Sequence, residues 1–336
     1  MNLSERIDAF AQLGQTMLHL PADEREALAM RAKATNGWFT PESVGQALDG
    51  IAYMLDREKL EKWTSAYSLN PEVPKIVGVI MAGNIPMVGF HDLMSVLLSG
   101  HIAAVKMSSQ DKVLMQQVID WLVEIEPRFK RSIDIREKLD LVDAVIATGS
   151  DNTARYFDYY FGKYPHIIRK NRTSVAVLDG TETPAELEAL GRDIFSYYGL
   201  GCRNVSKVFT PHGFDFKKVF PHWESFAEVA NHNKYRNNYD YQKAIYLVNG
   251  EPHLDTGFLL IRTTDELVSP TSVLYHEEFE DKKALDAIRE TYAEKIQCIV
   301  GHGYIPFGQA QCPEPWDYAD GVDVMEFLVN LKSSIE

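Results

Sequence analysis

Between residues 74 and 197 the chain alternates short apolar runs with segments of helical length. The runs are KIVGVIM (75–81), IAAVKM (102–107), DAVIAT (143–148) and SVAVLD (174–179). They lack the polar alternation of a strand with one solvated face, so they indicate parallel strands buried on both faces. Strands of this kind, separated by helices, predict a doubly wound α/β sheet that binds ligands at the carboxyl ends of its strands.

The flanking regions predict a helical N-terminus and a second α/β unit. Apolar residues recur at helical spacing over residues 1–66. Further strands of the second unit are predicted at 207–210, 243–248, 257–262, 271–275 and 297–301. We therefore expect a helical N-terminus with a nucleotide-binding domain over residues 1–184 and a catalytic domain over 185–310. Residues 311–336 are expected to return to the first domain.

Composition narrows the functional classes. The net charge of -14 disfavours nucleic acid or an anionic membrane as the main partner. Three cysteines are too few for a disulfide framework. No apolar stretch approaches the roughly 20 residues that span a bilayer, and the charged N-terminus does not resemble a signal peptide. We expect a cytoplasmic protein without a membrane span or a metal site.

Cys202 lies in the loop YGLGCRN, between a predicted helix and a predicted strand. Glycine lets the backbone approach a ligand closely, so a thiolate in this loop can attack a carbonyl carbon. The backbone N–H of Cys202 can then help to hold the resulting oxyanion. A buried structural cysteine at a tight turn is the alternative, and the local sequence favours it.

Three weaker signals follow the predicted strands. Asn84, after the first strand, can donate its amide to an oxyanion, or simply initiate a turn before Pro86. Lys106, at the end of the second strand, can reach a ribose or phosphate, although a solvated lysine is the simpler interpretation. Thr148-Gly149-Ser150, after the third strand, can face a phosphate at a helix N-terminus but lacks the GxGxxG pattern.

Their order along the chain resembles the aldehyde dehydrogenase superfamily. VGVIMAGNIPMVGFHDLMSVLLSGHIAAVKMSS (77–109) is similar to that family's first strand, its Asn-x-Pro turn and its Lys-Pro-Ser-Glu segment. TDELVSPTSVLYHEEFEDKKALDAI (264–288) resembles its Glu-Glu-Ile-Phe-Gly-Pro stretch, and Pro306-Phe307-Gly308 its late Pro-Phe-Gly.

Within that superfamily, the chain resembles the LuxC-type fatty acyl-CoA reductases. The similar segments are AGNIPMVGFHDLMSVLLSG, IIRKNRTSVAVLDG, YYGLGCRNVSKVF and FGQAQCPEPWDYADGVDVMEFL. The resemblance implies an aldehyde dehydrogenase-like fold and a homo-oligomer that works with an acyl-activating partner enzyme. Its substrate would be an acyl-CoA or an acyl-carrier protein thioester.

The resemblance also implies a role for each candidate residue. Cys202 is the nucleophile and Asn84 shares the oxyanion. Lys106 and Ser109 bind the adenosine ribose, and Glu266 binds the nicotinamide ribose. Thr148, Gly149 and Ser150 lie on the pyrophosphate side.

Two departures from the oxidising aldehyde dehydrogenases shape the functional prediction. Ile168 occupies the position of the glutamate that activates water in those enzymes, so a thioester at Cys202 is expected to resist hydrolysis. Ser109 replaces the glutamate that repels a 2′-phosphate, which favours NADPH while leaving NADH acceptable.

The sequence thus predicts an acyl-thioester reductase that forms an aldehyde with NADPH through a Cys202 thioester. A reductase of another activated acyl group, such as an acyl phosphate, is the alternative within enzymes. Two non-redox alternatives are a non-catalytic scaffold subunit and an acyltransferase.

Overall fold

The computed structural model describes residues 1–149 and 151–331, which form two compact units. The first unit contains residues up to Asn171 and those from Pro313 onward, and the second runs from Arg172 to Cys312. The helices are α1 (Leu3–Leu18), α2 (Ala22–Thr35), α3 (Pro41–Met54), α4 (Arg57–Thr64), α5 (Phe90–Leu98), α6 (Lys112–Ile125), α7 (Asp151–Phe161), α8 (Pro184–Phe195), α9 (Phe220–Trp223), α10 (Asn233–Asn249), α11 (Lys282–Tyr292) and α12 (Val324–Val329). The strands are β1 (Ile76–Ile80), β2 (Ile102–Lys106), β3 (Ile133–Ile135), β4 (Ala144–Thr148), β5 (His166–Arg169), β6 (Thr173–Val177), β7 (Val205–Pro211), β8 (Leu254–Asp255), β9 (Leu260–Thr263), β10 (Val273–Phe279) and β11 (Ile296–Gly301).

The first unit is built on a parallel sheet with the strand order β3-β2-β1-β4-β5. Ile80 is in register with Lys106 on one side and with Ala147 on the other, so the carboxyl ends of β1, β2 and β4 lie side by side. The strand order reverses between β1 and β4, and such a switch point is where doubly wound sheets bind ligands. This arrangement confirms the predicted doubly wound α/β sheet.

Helices cover this sheet because their apolar faces match its buried strands. The central strands consist mainly of Val, Ile and Ala that are fully or almost fully buried. Helix α1 starts at a capping box in which Asn2 and Glu5 satisfy each other's backbone N–H groups. The face of α1 that includes Phe10 and Leu13 is completely buried.

The chain returns to the first unit through an aromatic cluster. Trp63 Nε1 donates to the Tyr318 hydroxyl at 2.7 Å, and the Tyr67 and Tyr318 hydroxyls lie 3.0 Å apart. Tyr67 in turn donates to Asp323, at the start of α12, at 2.6 Å. The last described residues are therefore tied to α4 and the loop after it.

The second unit has a mixed sheet with the order β11-β6-β7-β10-β9-β8. Its strands pair in parallel except β8 and β9, which are antiparallel at one edge. One core of this unit packs Leu190, Val208, Trp223 and Leu274 between the sheet and the helices that follow β6 and β7. The second unit is thus also α/β, as predicted.

Several predicted elements differ from the observed ones. The run KAIYLV (243–248) is wrong as a strand because it belongs to α10, in which Tyr235, Tyr239 and Tyr246 are buried at helical spacing. The run at 174–179, grouped above with the first domain, forms β6 and pairs with β7 and β11 of the second unit. Strands β3 and β5 were not predicted, since each is short and partly exposed. Within the described ranges, no helix combines the length and apolar composition needed to cross a bilayer.

Candidate active site

Cys202 lies on a turn with unusual backbone geometry, just before β7. Tyr197, Tyr198 and Gly199 have φ angles of 51°, 58° and 77°. Left-handed conformations cost free energy for residues that carry a Cβ, so two adjacent tyrosines in this region are a strained feature that the surroundings must hold. Cys202 itself is half-buried, outside the fully buried core.

Asn204 holds the main chain on the N-terminal side of Cys202. Its Oδ1 accepts the N–H of Gly201 at 2.8 Å, and its Nδ2 donates to the carbonyl oxygens of Ser196 (2.8 Å) and Asp193 (3.1 Å). Asn204 is only 2% exposed. A buried side chain with partners on both its oxygen and its nitrogen fixes a turn in one conformation.

Ser174, a fully buried residue of β6, holds the carbonyl of Cys202. Its hydroxyl donates to that carbonyl at 3.0 Å. The same Oγ accepts the N–H of Cys298 at 3.2 Å and lies 3.0 Å from the Cys298 sulfur. All three cysteines lie within the described residues, and none of them is in a disulfide.

Asp193 connects the end of α8 to the Pro-Phe-Gly segment. Its carboxylate accepts the N–H groups of Gly308 (2.6 Å) and Ala310 (2.9 Å), and Arg203 donates to the carbonyl of Ala310. Burial raises the pKa of Asp193 to about 6, although the two N–H groups stabilise its ionised form. The residue after Cys202 is thereby linked to the segment at 308–310.

Asn84 lies on the loop that follows β1 and is exposed. The loop is closely packed, because a Cβ on Gly83 would lie 2.5 Å from the Ser108 hydroxyl and only glycine fits there. The carbonyl of Gly83 accepts from Asn36 at 3.4 Å. At the other end of the loop, Met87 has a φ of 56° and donates its N–H to Asp111 at 2.7 Å.

Further candidate residues lie on the same edge of this sheet. Lys106 ends β2 and is half-buried, whereas Ser109 is exposed three residues later. Thr148 ends β4, and Gly149 follows it. Ser150 lies outside the described residues. Together with Asn84, these groups provide one cation, hydroxyls and a glycine next to the switch point, and that donor set suits the riboses and phosphates of a dinucleotide.

Arg169 and Asp92 form a buried ion pair that no sequence motif indicated. Asp92 is on α5 and Arg169 ends β5, and their side chains are 6% and 5% exposed. Arg169 also donates to the Thr148 hydroxyl at 3.3 Å. Ile168, which was predicted to replace the general base of the oxidising enzymes, precedes Arg169 and pairs in register with Ala147. The sequence signal that could have indicated this ion pair is an arginine at the end of a strand, directly after an apolar residue.

Glu266 lies in the second unit, on the loop after β9. Its side chain is 58% exposed, and its carboxylate contacts the Tyr275 hydroxyl at 3.3 Å and Arg262 at 3.6 Å. Strand β7, which starts three residues after Cys202, reaches this loop through Ser206 and Lys207. Cys202, which precedes β7 in the chain, and the loop of Glu266, which is hydrogen-bonded to β7, are therefore both connected to this strand.

Asp179, Glu182 and His302 have oxygen and nitrogen atoms close enough together to suggest a metal site. Both ring nitrogens of His302 already face carboxylates, Asp179 at 2.8 Å and Glu186 at 3.0 Å. Hydrogen bonds to these groups raise the pKa of His302 to about 9. The cluster is thus explained by a protonated imidazole between two acids.

Comparison with solved structures identifies the class of fold. An NAD-dependent aldehyde dehydrogenase from Sinorhizobium meliloti matches with a TM-score of 0.65 and 11% identity, over 89% of this chain and 70% of that chain. The NAD⁺ complex of a Bacillus cereus aldehyde dehydrogenase matches with a TM-score of 0.61 and 14% identity, over 89% and 72%. A Bartonella henselae aldehyde dehydrogenase matches with a TM-score of 0.62 and 11% identity, over 89% and 74%. The fold is aldehyde dehydrogenase-like.

The family follows from the sequence model described as "Acyl-CoA reductase (LuxC)", which matches residues 14–215, more than half of the chain. The chain belongs to the LuxC acyl-CoA reductase family. A comparison with curated proteins gives no match. Membership of this family makes the chain an oxidoreductase that acts on acyl groups.

Proposed function

We propose that this chain reduces an acyl thioester of coenzyme A or an acyl-carrier protein to an aldehyde, with NADPH, through a thioester at Cys202. The observation that carries the proposal is the turn around Cys202. Buried Asn204 and Ser174 hold its backbone on both sides, while the cysteine stays outside the fully buried core. This arrangement presents the thiol on a fixed main chain, as a positioned nucleophile requires.

In the first step the Cys202 thiolate attacks the thioester carbonyl carbon. The negative charge on the carbonyl oxygen is held by the Asn84 amide and the Cys202 backbone N–H. The carbon–sulfur bond to the carrier then breaks, and the carrier thiolate leaves and takes up a proton. The acyl group is now a thioester of Cys202.

A nicotinamide nucleotide held at Lys106, Ser109 and Glu266 would supply a hydride to the acyl carbon. Cys202 then holds a thiohemiacetal, and the same oxyanion donors stabilise its oxygen. As the carbon–sulfur bond breaks, the oxygen forms the aldehyde carbonyl and Cys202 leaves as a thiolate. The enzyme is thereby restored for the next acyl group.

Lys106, Ser109, Thr148, Gly149 and Ser150 are the residues we assign to the adenosine ribose and the pyrophosphate. Glu266 is assigned to the nicotinamide ribose. Ser109 has no charge to repel a 2′-phosphate, so we propose NADPH as the preferred nucleotide and NADH as an acceptable one.

Residue 168 is an isoleucine and not a general base, which protects the acyl-enzyme from hydrolysis by water. An isoleucine cannot deprotonate water, so hydrolysis of the Cys202 thioester is expected to be slow. The family resemblance extends the proposal to a cytoplasmic homo-oligomer that receives its acyl groups from an acyl-activating enzyme.

Replacement of Cys202 tests the proposal directly. Cys202→Ala is expected to abolish aldehyde formation and acyl-enzyme formation while NADPH still binds, because only the nucleophile is lost. Aldehyde is measured as NADPH or NADH consumption with acyl-CoAs of graded length, and the acyl-enzyme by mass of the intact protein. The exposed Cys312→Ala is the matched control and should behave as wild type.

Substantial turnover by Cys202→Ala would contradict the mechanism. Activity with an acyl phosphate but not with acyl-CoA would instead favour the alternative substrate class. Carrier exchange without nucleotide oxidation would point to an acyltransferase.

A further inference from the structure

Lys207 on β7 is a completely buried lysine that the proposed mechanism does not use. Its Nζ donates to the carbonyl oxygens of Thr264 at 3.0 Å and Glu266 at 2.9 Å. It also forms an ion pair with Glu277. An ammonium group has three donors, so each has an acceptor here. Burying a charge is costly, and lysine is rarely found fully buried unless it is paired.

The loop that accepts these bonds is held by side chains along its whole length. Each of the four successive carbonyls at 264–267 accepts a hydrogen bond from a side chain elsewhere in the second unit. The donors are Lys207 for Thr264 and Glu266, the Tyr292 hydroxyl for Asp265 (2.8 Å), and the Ser206 hydroxyl for Leu267 (3.1 Å). The main chain is fixed although this segment is neither helix nor strand.

A fixed main chain is combined here with an accessible carboxylate. The Glu266 side chain is 58% exposed, and the Tyr275 hydroxyl at 3.3 Å and Arg262 at 3.6 Å orient its two oxygens. A binding group that is held in place before the ligand arrives loses less entropy on binding. The loop is thus suited to present one carboxylate to a ligand.

We propose that Lys207 is a positioning residue that fixes the loop at 264–266 and thereby places the Glu266 carboxylate for the ribose hydroxyls of a nicotinamide nucleotide. This rests on the proposed function for the role of Glu266. Without the lysine the loop samples other conformations, and nucleotide affinity falls in proportion to the fraction of molecules that stay competent to bind. Acyl transfer to Cys202 needs no nucleotide and is expected to be spared.

The first test separates these two steps. Lys207→Met removes the charge of the lysine but keeps the length of its side chain. If this variant is unstable because Glu277 is left unpaired, Lys207→Met combined with Glu277→Gln removes both charges. Both variants are expected to bind NADPH about tenfold more weakly than wild type, a loss of about 1.4 kcal/mol in binding free energy. Calorimetry measures this affinity. The rate of Cys202 acylation by acyl-CoA without nucleotide should equal that of wild type.

A double-mutant cycle tests whether Lys207 acts through Glu266. Glu266→Ala alone should weaken NADPH binding, and adding Lys207→Met to it should weaken binding little further, because the carboxylate to be positioned is gone. Lys243→Met is the matched control, since Lys243 pairs with Asp255 elsewhere in the second unit. It should bind nucleotide as wild type does.

Three results would overturn the proposal: unchanged nucleotide affinity in Lys207→Met, an equal loss of acylation, or fully additive effects with Glu266→Ala. A wild-type protein that binds neither NADPH nor NADH would overturn it together with the proposed function. If wild type binds nucleotide but reduces no acyl thioester, only the proposed function fails. The binding cycle then still decides the role of Lys207.

Discussion

Asp111 lies beneath the loop that contains Asn84. It is 2% exposed, and its Oδ2 accepts the N–H of Met87, whose φ of 56° makes this the strained end of the loop. Among the described residues, its Oδ1 has no hydrogen-bond partner. A buried carboxyl with one satisfied oxygen is poorly solvated when ionised.

Burial raises the pKa of Asp111 to about 8 from an ordinary value of 3.8, although the hydrogen bond from Met87 opposes the shift. Between these two values the unfolded chain has lost this proton while the folded chain keeps it. The free energy of unfolding therefore falls as pH rises, by about 1.4 kcal/mol per pH unit, and levels off above pH 8. Asp111→Asn should remove this dependence, as measured by denaturant unfolding at pH 6 and pH 8.

The control for this prediction lies on the helix that Asp111 precedes. Asp120 on α6 is exposed, so Asp120→Asn should keep the wild-type dependence on pH. If wild type and Asp111→Asn lose stability equally between pH 6 and pH 8, the carboxyl is ionised throughout this range and the raised pKa is wrong.

At the scale of elements, the ion pair between Asp92 on α5 and Arg169 on β5 joins a helix to a strand at the carboxyl edge of the first sheet. Asp92 lies in the first turn of α5. Its burial depends on a partner 77 residues away. Such a pairing cannot be seen from local spacing.

Asp92→Leu is expected to lower the free energy of unfolding by about 3–5 kcal/mol, because it leaves the Arg169 guanidinium charged in a buried position. Asp92→Leu with Arg169→Met should recover much of this loss, since both charges are then gone. Denaturant unfolding measures both. The exposed pair of Arg57 and Asp8 is the control, and Arg57→Met should have little effect. A double variant no more stable than Asp92→Leu would contradict the argument.

Elements were predictable where their burial was uniform. Strands β1, β2 and β4 are apolar apart from Lys106 and Thr148 at the ends of β2 and β4, and were predicted from these apolar runs. The segment 243–248 of α10 was misassigned because Ile245, Leu247 and Val248 form a β-like run. The buried residues of α10 are instead tyrosines at helical spacing, and one of them, Tyr246, lies within that run. Tertiary burial of those rings overrides the local preference.

At the scale of the whole molecule, the sequence supplied the order of the candidate residues but not the groups that support them. Asn84, Lys106 and Thr148 follow predicted strands, and their shared edge follows from the parallel sheet. Asn204 bonds to backbone groups 3 to 11 residues away, and Lys207 to carbonyls 57 and 59 residues away. No motif encodes either set of partners. The roles of Cys202 and the other candidates remain predictions.

The chain leaves the first unit at Asn171 and returns at Pro313, so the packing of its last segment should support the first unit only. Tyr318 is half-buried and bonds to Trp63 and Tyr67 of that unit. Tyr318→Ala removes these contacts and is expected to cost about 2 kcal/mol, from one partly buried ring and its hydrogen bonds. Hydrogen exchange should then rise in α4 and α12 and stay unchanged in β6, β7 and β10.

Tyr304→Ala in the second unit, where the hydroxyl accepts from Arg289 at 2.8 Å, is the matched control and should produce the opposite pattern. Equal loss of protection in both units after either substitution would show that they unfold as one cooperative body rather than as two.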